Sequence, residues 1–141
     1  VLGKFFIIII TLGIISIIIP AQAESQLETV EISGARLSNT SGASLGDHIN
    51  IGQQAQISAN IKNNLKQSQE FVYIYQVKDE RGFVIELAWI TGLLSPGQSF
   101  NTGLSWNPET GGTYTVEIFV WDSLIKRNAL DKFETFEVIV S

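Results

Sequence analysis

The sequence predicts an all-β protein: an antiparallel β-sandwich of about seven strands, preceded by an apolar N-terminal helix. Three observations carry this. From residue 28 onward most segments alternate apolar and polar side chains with a period of two, the repeat of a strand with one face buried. Turn chemistry built from Gly, Pro, Asn and Asp recurs every ~8–15 residues. No stretch of that region has the 3.6-residue repeat of an amphipathic helix.

Residues 1–23 are different in kind. Lys4 is their single charge, and an apolar run of 15 residues follows from Phe5 to Ile19. Pro20 ends any helix there, and Ala21-Gln22-Ala23 has the small-x-small pattern of a signal-peptidase site. As a helix the run would span about 22 Å, short of a ~30 Å hydrocarbon core. The expectation is an export signal cut before Glu24. The alternative is a retained hydrophobic helix of the kind that type IV pilins pack into a filament core. That alternative leaves Ala-Gln-Ala unexplained, and the acidic residue such pilins carry near the helix start is missing. Both readings put residues 24–141, the expected sandwich, outside the cytoplasm or on the cell surface. Contact with a membrane is expected only through residues 1–20, if they are retained.

The charge belongs to the second part. Residues 24–141 hold 8 of the 9 basic and all 14 acidic side chains, a net charge of −6 against −5 for the whole chain. Such a balance disfavours nucleic acid and anionic membranes as electrostatic partners. The 118 residues suit one domain with one core. With no cysteine there can be no disulfide, thiolate metal site or cysteine nucleophile.

The strands follow in order. Residues 28–33 put Val30 and Ile32 on one face, and a polar loop is expected from Ser38 to Asp47. Residues 53–62 alternate cleanly, with Ala55, Ile57, Ala59 and Ile61 on the buried side. Residues 70–78 and 83–91 form a hairpin closed by Asp79-Glu80-Arg81-Gly82, with Gly82 at positive φ. In the second hairpin strand Phe83, Ile85, Leu87 and Trp89 are expected to face the core. Ser95-Pro96-Gly97 is a type II turn leading into residues 98–106. Residues 113–121 carry the strongest strand pattern, with Tyr114, Val116, Ile118 and Val120 inward. A connection without a substantial helix, 122–132, precedes a last strand from Phe133 to Val140. Seven strands in about 118 residues point to an immunoglobulin-like Greek-key sandwich.

Leu104 to Val116 is the most informative segment. Its Gly112-Thr113-Tyr114-Thr115-Val116 resembles the Gly-x-Tyr-x-Val opening of strand F in prokaryotic immunoglobulin-like surface domains. There the tyrosine ring lies inward and its hydroxyl caps the turn. Phe71–Val77, Phe83–Ile90 and Pro96–Trp121 are similar to domains in predicted secreted proteins of ammonia-oxidising archaea. The resemblance covers roughly residues 50–141. It implies a fold and an extracellular setting, and it carries over no catalytic residue.

Function is expected to lie in surplus apolar surface. The strands at 70–78, 83–91 and 113–121 have apolar residues on both faces, and if they are neighbours their outer faces merge. Val72, Ile74, Ile90, Phe119 and Trp121 are the candidate interaction face. A large patch of this kind is buried under the chain's own loops 38–48 or 122–132 or its N-terminal segment, forms a subunit or filament contact, or is an aromatic platform for glycans. The platform candidates are Tyr73, Tyr75, Trp89 and Trp121. Residues 27–33 could alternatively complete a neighbouring subunit's sheet. Asn39-Thr40-Ser41 matches the N-glycosylation pattern, making Asn39 a candidate acceptor. His48 stands beside Asp47 without a nucleophile-elbow pattern, and no metal or phosphate motif is present. No catalytic residue, cofactor or metal is therefore assigned. The expected role is non-enzymatic contact with a protein partner, another copy of the chain or a glycan.

Overall fold

The computed structural model describes residues 27–141. The leader or helix expected over residues 1–23 lies outside the described residues. Nine strands run β1 (Val30–Ser38), β2 (Ser44–Gly46), β3 (His48–Ile49), β4 (Ala55–Asn63), β5 (Gln69–Lys78), β6 (Val84–Leu94), β7 (Ser99–Trp106), β8 (Gly112–Trp121) and β9 (Glu134–Val140). They form two sheets, β2-β1-β4-β7 and β3-β9-β8-β5-β6. Seven of the nine answer to the expected strands. The other two, β2 and β3, are short pieces inside and just after the expected 38–47 loop.

Alternation places the core. Ala55, Ile57, Ala59 and Ile61 of β4 are buried against Tyr73, Tyr75 and Val77 of β5 and Tyr114, Val116, Ile118 and Val120 of β8. Two hydroxyls stitch the layers together: Tyr73 donates to the Ile57 carbonyl at 2.9 Å and Tyr75 to the Ser105 carbonyl at 2.7 Å. Residues 30–38 pair antiparallel with β4, so this segment completes its own sheet, and a donated strand for a neighbour is not what it forms. The 122–132 connection contains no helix, and its Leu130 is buried in the core.

The hairpin β5–β6 departs from expectation. Its turn has the expected form: the Asp79 carboxylate accepts from the backbone of Arg81 and Phe83, and Gly82 sits at φ 84°. Beyond it Lys78 pairs with Val84, but Val77 pairs with Glu86, leaving Ile85 as the extra residue of a bulge. A regular ladder from Val84 would set Leu87 opposite Tyr75 and Trp89 opposite Tyr73. The bulge moves every later pair by one, which exchanges the two faces. Ala88 now lies opposite Tyr75 and Ile90 opposite Tyr73, both packed on the core, whereas Leu87 and Trp89 point outward. Ile90 therefore leaves the candidate outer face, and Trp89 joins it.

Candidate functional site

Cross-strand pairing arranges the outer face of the five-stranded sheet in rows. Thr91, Val72 and Trp121 form one row across β6, β5 and β8. The next is Trp89, Ile74 and Phe119, extended by Phe133, whose ring stacks on Phe119 with centroids 5.3 Å apart. Phe119 also meets the Trp121 ring at 6.1 Å. A third row holds Leu87, Gln76, Glu117 and Thr135.

Val72 and Ile74 lie on this outer face, yet they are buried and take no part in the core cluster between the sheets. The larger side chains that flank them in their rows must be the cover. They are the floor of a second, shallow apolar layer, and its accessible surface is Trp89, 50% exposed, and Phe133, 53% exposed, with Phe119 and Trp121 half-buried between them. Leu87 and Leu93 extend the exposed apolar surface along β6. Loop 122–132 does not shield it. That loop turns toward β1, where Asp131 accepts a 2.7 Å hydrogen bond from the Ile32 amide, and Phe133 just beyond it stacks on Phe119.

A polar cluster adjoins the rings. Lys78 Nζ is 2.8 Å from one Glu117 oxygen, and Gln76 Nε2 donates to the other. Burial works to raise the Glu117 pKa, but the hydrogen bonds from Lys78 and Gln76 outweigh it and hold the carboxyl below its ordinary value. At neutral pH the row beside the rings thus offers an ionised carboxylate and an amide, with Lys78 bonded to that carboxylate from the next row. The opposite outer face is quite unlike this one. Gln56, Ser58 and Asn60 of β4 face Ser105, Gly103 and Asn101 of β7, and the Ser58 hydroxyl lies 2.7 Å from that of Ser38. Among the described residues the opposite face has no counterpart of the ring rows.

The remaining candidates are dispersed. Tyr73 and Tyr75 are wholly buried with both hydroxyls bonded to the facing sheet, so they belong to the core and to no glycan platform. Their position follows from the alternation of β5, which turns odd-numbered residues inward. Burial, chiefly, raises both pKa values: Tyr75 to about 12 and Tyr73 further. Asn39 lies at a turn far along the chain from the ring rows, and its side-chain oxygen accepts from Ser41 N, Ser41 Oγ and Ala43 N at 2.7–3.0 Å. His48 Nε2 is 2.6 Å from Ser141 Oγ on the exposed side of the β3–β9 pair. Asp47, next along the strand, is not bonded to the imidazole in this arrangement, so the pair lacks the orienting third group of a nucleophilic triad. Among the described residues no group of three or more His, Cys, Asp or Glu side chains is placed to hold a metal ion. Glu117 was evident beside the rings from the sequence; what that reading missed are Gln76 and Lys78, which only strand pairing brings to its carboxylate.

No protein-family profile and no curated protein matches this chain. Solved structures do. One is the CARDB domain of a Pyrococcus furiosus protein, determined with di-metal ions: 16% identity, TM-score 0.54, 82% of this chain and 91% of that one. Another is the C-terminal domain of Wzt: 12% identity, TM-score 0.67, 80% and 74% of the two chains. A third is a Paenibacillus sp. cycloisomaltooligosaccharide glucanotransferase complexed with cycloisomaltoheptaose: 16% identity, TM-score 0.61, 79% of this chain and 14% of that one. The fold is an immunoglobulin-like sandwich. At these identities the likeness extends to fold alone. Against the larger enzymes among these structures the chain spans between 11% and 30% of their length.

Proposed function

We propose that the chain is a non-catalytic carbohydrate-binding module whose ligand lies across the outer face of the five-stranded sheet. The observation that carries this reading is the row of exposed rings, Trp89 to Phe133, directly beside the ionised Gln76–Glu117–Lys78 cluster. A pyranose has one apolar face of C–H groups and a rim of hydroxyls. Rings take the first, and the Glu117 carboxylate and Gln76 amide one row away, with Lys78 beyond them, take the second. A pleated sheet holds these groups without rearrangement, so little affinity is lost to ordering them. Similar sandwiches forming parts of carbohydrate-active enzymes, among them the glucanotransferase and a Listeria innocua β-glucosidase, support the same reading.

The setting we propose is extracellular, at the surface of a prokaryotic cell of the kind the strand-F segment resembles, with residues 1–23 serving export or attachment. A filament subunit with a retained N-terminal helix is the other arrangement that this segment allows. A protein ligand is favoured by Leu87 and Leu93, which flank the rings with aliphatic surface that sugars use poorly.

Affinity electrophoresis through gels containing soluble α-glucan, β-glucan, xylan or mannan tests the reading. Retardation by at least one polysaccharide, lost in Trp89→Ala and reduced in Glu117→Gln, is the expected result. If none retards the protein and none alters its tryptophan fluorescence, the glycan reading fails and the protein reading takes its place.

A further inference from the structure

We propose that β6 is the seam of a two-fold dimer, in which residues 86–94 of one chain pair antiparallel with the same residues of a second copy about an axis at Ile90. The proposal stands on the sheet edge and is independent of what the rings bind.

The sandwich has four sheet edges, and three of them are blunted. Strand β2 has three residues and β3 has two. Beyond β2, the free side of β1 is capped where Asp131 accepts from Ile32 N. Strand β7 is longer and likewise lacks charge and proline, but its outward positions Ser99, Asn101, Gly103 and Ser105 are all polar or glycine, so pairing along it would bury no apolar outer surface. Strand β6 is the exception. It runs eleven residues, and among the described residues no strand pairs with it on the side away from β5. From Leu87 to Leu94 it has no charge and no proline, the devices by which edges ordinarily resist pairing. Its bulge protects only the Val84–Glu86 end.

A second copy fits this edge better than an unrelated strand. Residues opposite one another in an antiparallel pair share a face, so a two-fold at Ile90 sets Leu87 against Leu93 of the partner subunit and Trp89 against Thr91 of the partner subunit on the outer side. On the inner side Ala88 meets Gly92 of the partner subunit. This register pairs every residue between the bulge and the strand end, and a shift of two leaves residues unpaired. The one charge in the stretch, Glu86, meets its counterpart at the far end, roughly 26 Å away, beyond the ~8–10 Å screening length. Self-pairing therefore brings no like charges together. The axis of such a pair is perpendicular to the sheet, so both outer faces stay on one side and the two ring rows become continuous.

Edge pairing covers the backbone edge and only the flanks of Leu87, Trp89 and Leu93, well short of the ~800 Å² per partner of a stable interface. The dimer is accordingly a weak one, populated only as the concentration rises.

The chain has no cysteine, so Ile90→Cys would carry a single thiol on the proposed axis. Under mild oxidation it should form a disulfide-linked dimer at least tenfold faster than Asn101→Cys on the β7 edge. Adding Thr91→Lys, which brings two ammonium groups to roughly 8 Å from each other across the axis on an otherwise uncharged edge, should abolish that advantage. Because Ile90→Cys touches the core, sedimentation of the cysteine-free chain is the second measurement. Its mean mass should rise toward two chains with concentration, and Thr91→Lys alone should hold it at one. Equal cross-linking of both thiols overturns the proposal. So does a mass that Thr91→Lys leaves unchanged, which is the outcome if residues 1–26 or any other surface drives association.

Discussion

The Tyr114 hydroxyl donates a 2.7 Å hydrogen bond to the Thr110 carbonyl four residues upstream, while its ring meets the Trp106 ring edge-on at 5.6 Å. The bond ties the loop that crosses between sheets to the start of β8, and the ring contact ties β8 to the end of β7. One side chain thus fixes where the chain passes from one layer to the other, as in the tyrosine corner of immunoglobulin-like sandwiches. Tyr114→Phe keeps the ring contact and removes only the donor. It should lower stability by about 1 kcal/mol, read as a reduced urea midpoint at unchanged slope.

Tyr73 and Tyr75 make the protein sensitive to base. Their folded pKa values lie above the ordinary 10.0, with Tyr75 at about 12. Between pH 10 and 12 the unfolded chain releases protons that the folded chain keeps, so stability falls as pH rises. Below pH 10 their contribution is fully present. Denaturation midpoints measured from pH 8 to 12 should be level with respect to these two groups up to about 10 and then decline. In Tyr73→Phe the decline should be shallower, because one of the two protons is no longer at stake.

The limits of sequence reading are clearest in β6. Periodicity located the segment, and its pairing with β5 was legible from the Asp79–Gly82 turn. Which face is buried depends on whether the ladder carries an extra residue, and a bulge leaves no mark on a strand rich in apolar residues on both sides. Leu87 and Trp89 were the larger residues and so the natural choice for the core. The register gives that place to Ala88 and Ile90 because Tyr73 and Tyr75 already fill it. By contrast β4, with Gln56, Ser58 and Asn60 on one face, could be read without ambiguity. The Gln76–Glu117–Lys78 cluster was hidden for a related reason, since its members lie up to 41 positions apart in the chain.

Ile85 is the residue the ladder does not use. Deleting it leaves Lys78 opposite Val84 and Val77 opposite Glu86, now in regular alternation, so the rest of β6 keeps its register. The deletion should cost no more than about 1–2 kcal/mol, and Trp89 should remain open to acrylamide quenching. Shielding of Trp89 in the deletion variant would mean that the bulge, and not the fit of Ala88 and Ile90 over the tyrosines, sets the faces.

Ile74 and Trp89 are neighbours in one row, yet they should respond oppositely to truncation. Ile74 is 5% exposed although it points away from the core, whereas Trp89 is 50% exposed. Removing a buried isoleucine side chain typically costs ~2–5 kcal/mol, and Ile74→Ala should fall near the lower end because its cover of rings can settle into the gap. Trp89→Ala removes a side chain already half in water and should cost about 1–2 kcal/mol, roughly what its buried half contributes. Binding should invert the order: retardation by polysaccharide disappears in Trp89→Ala and survives in Ile74→Ala, whose rings remain on the surface. Thermal or urea unfolding of both variants, set beside the same electrophoresis, checks the pair. If Ile74→Ala costs less than about 0.5 kcal/mol, the outer layer is no packed layer at all, and the rings above it are not held in place for any ligand.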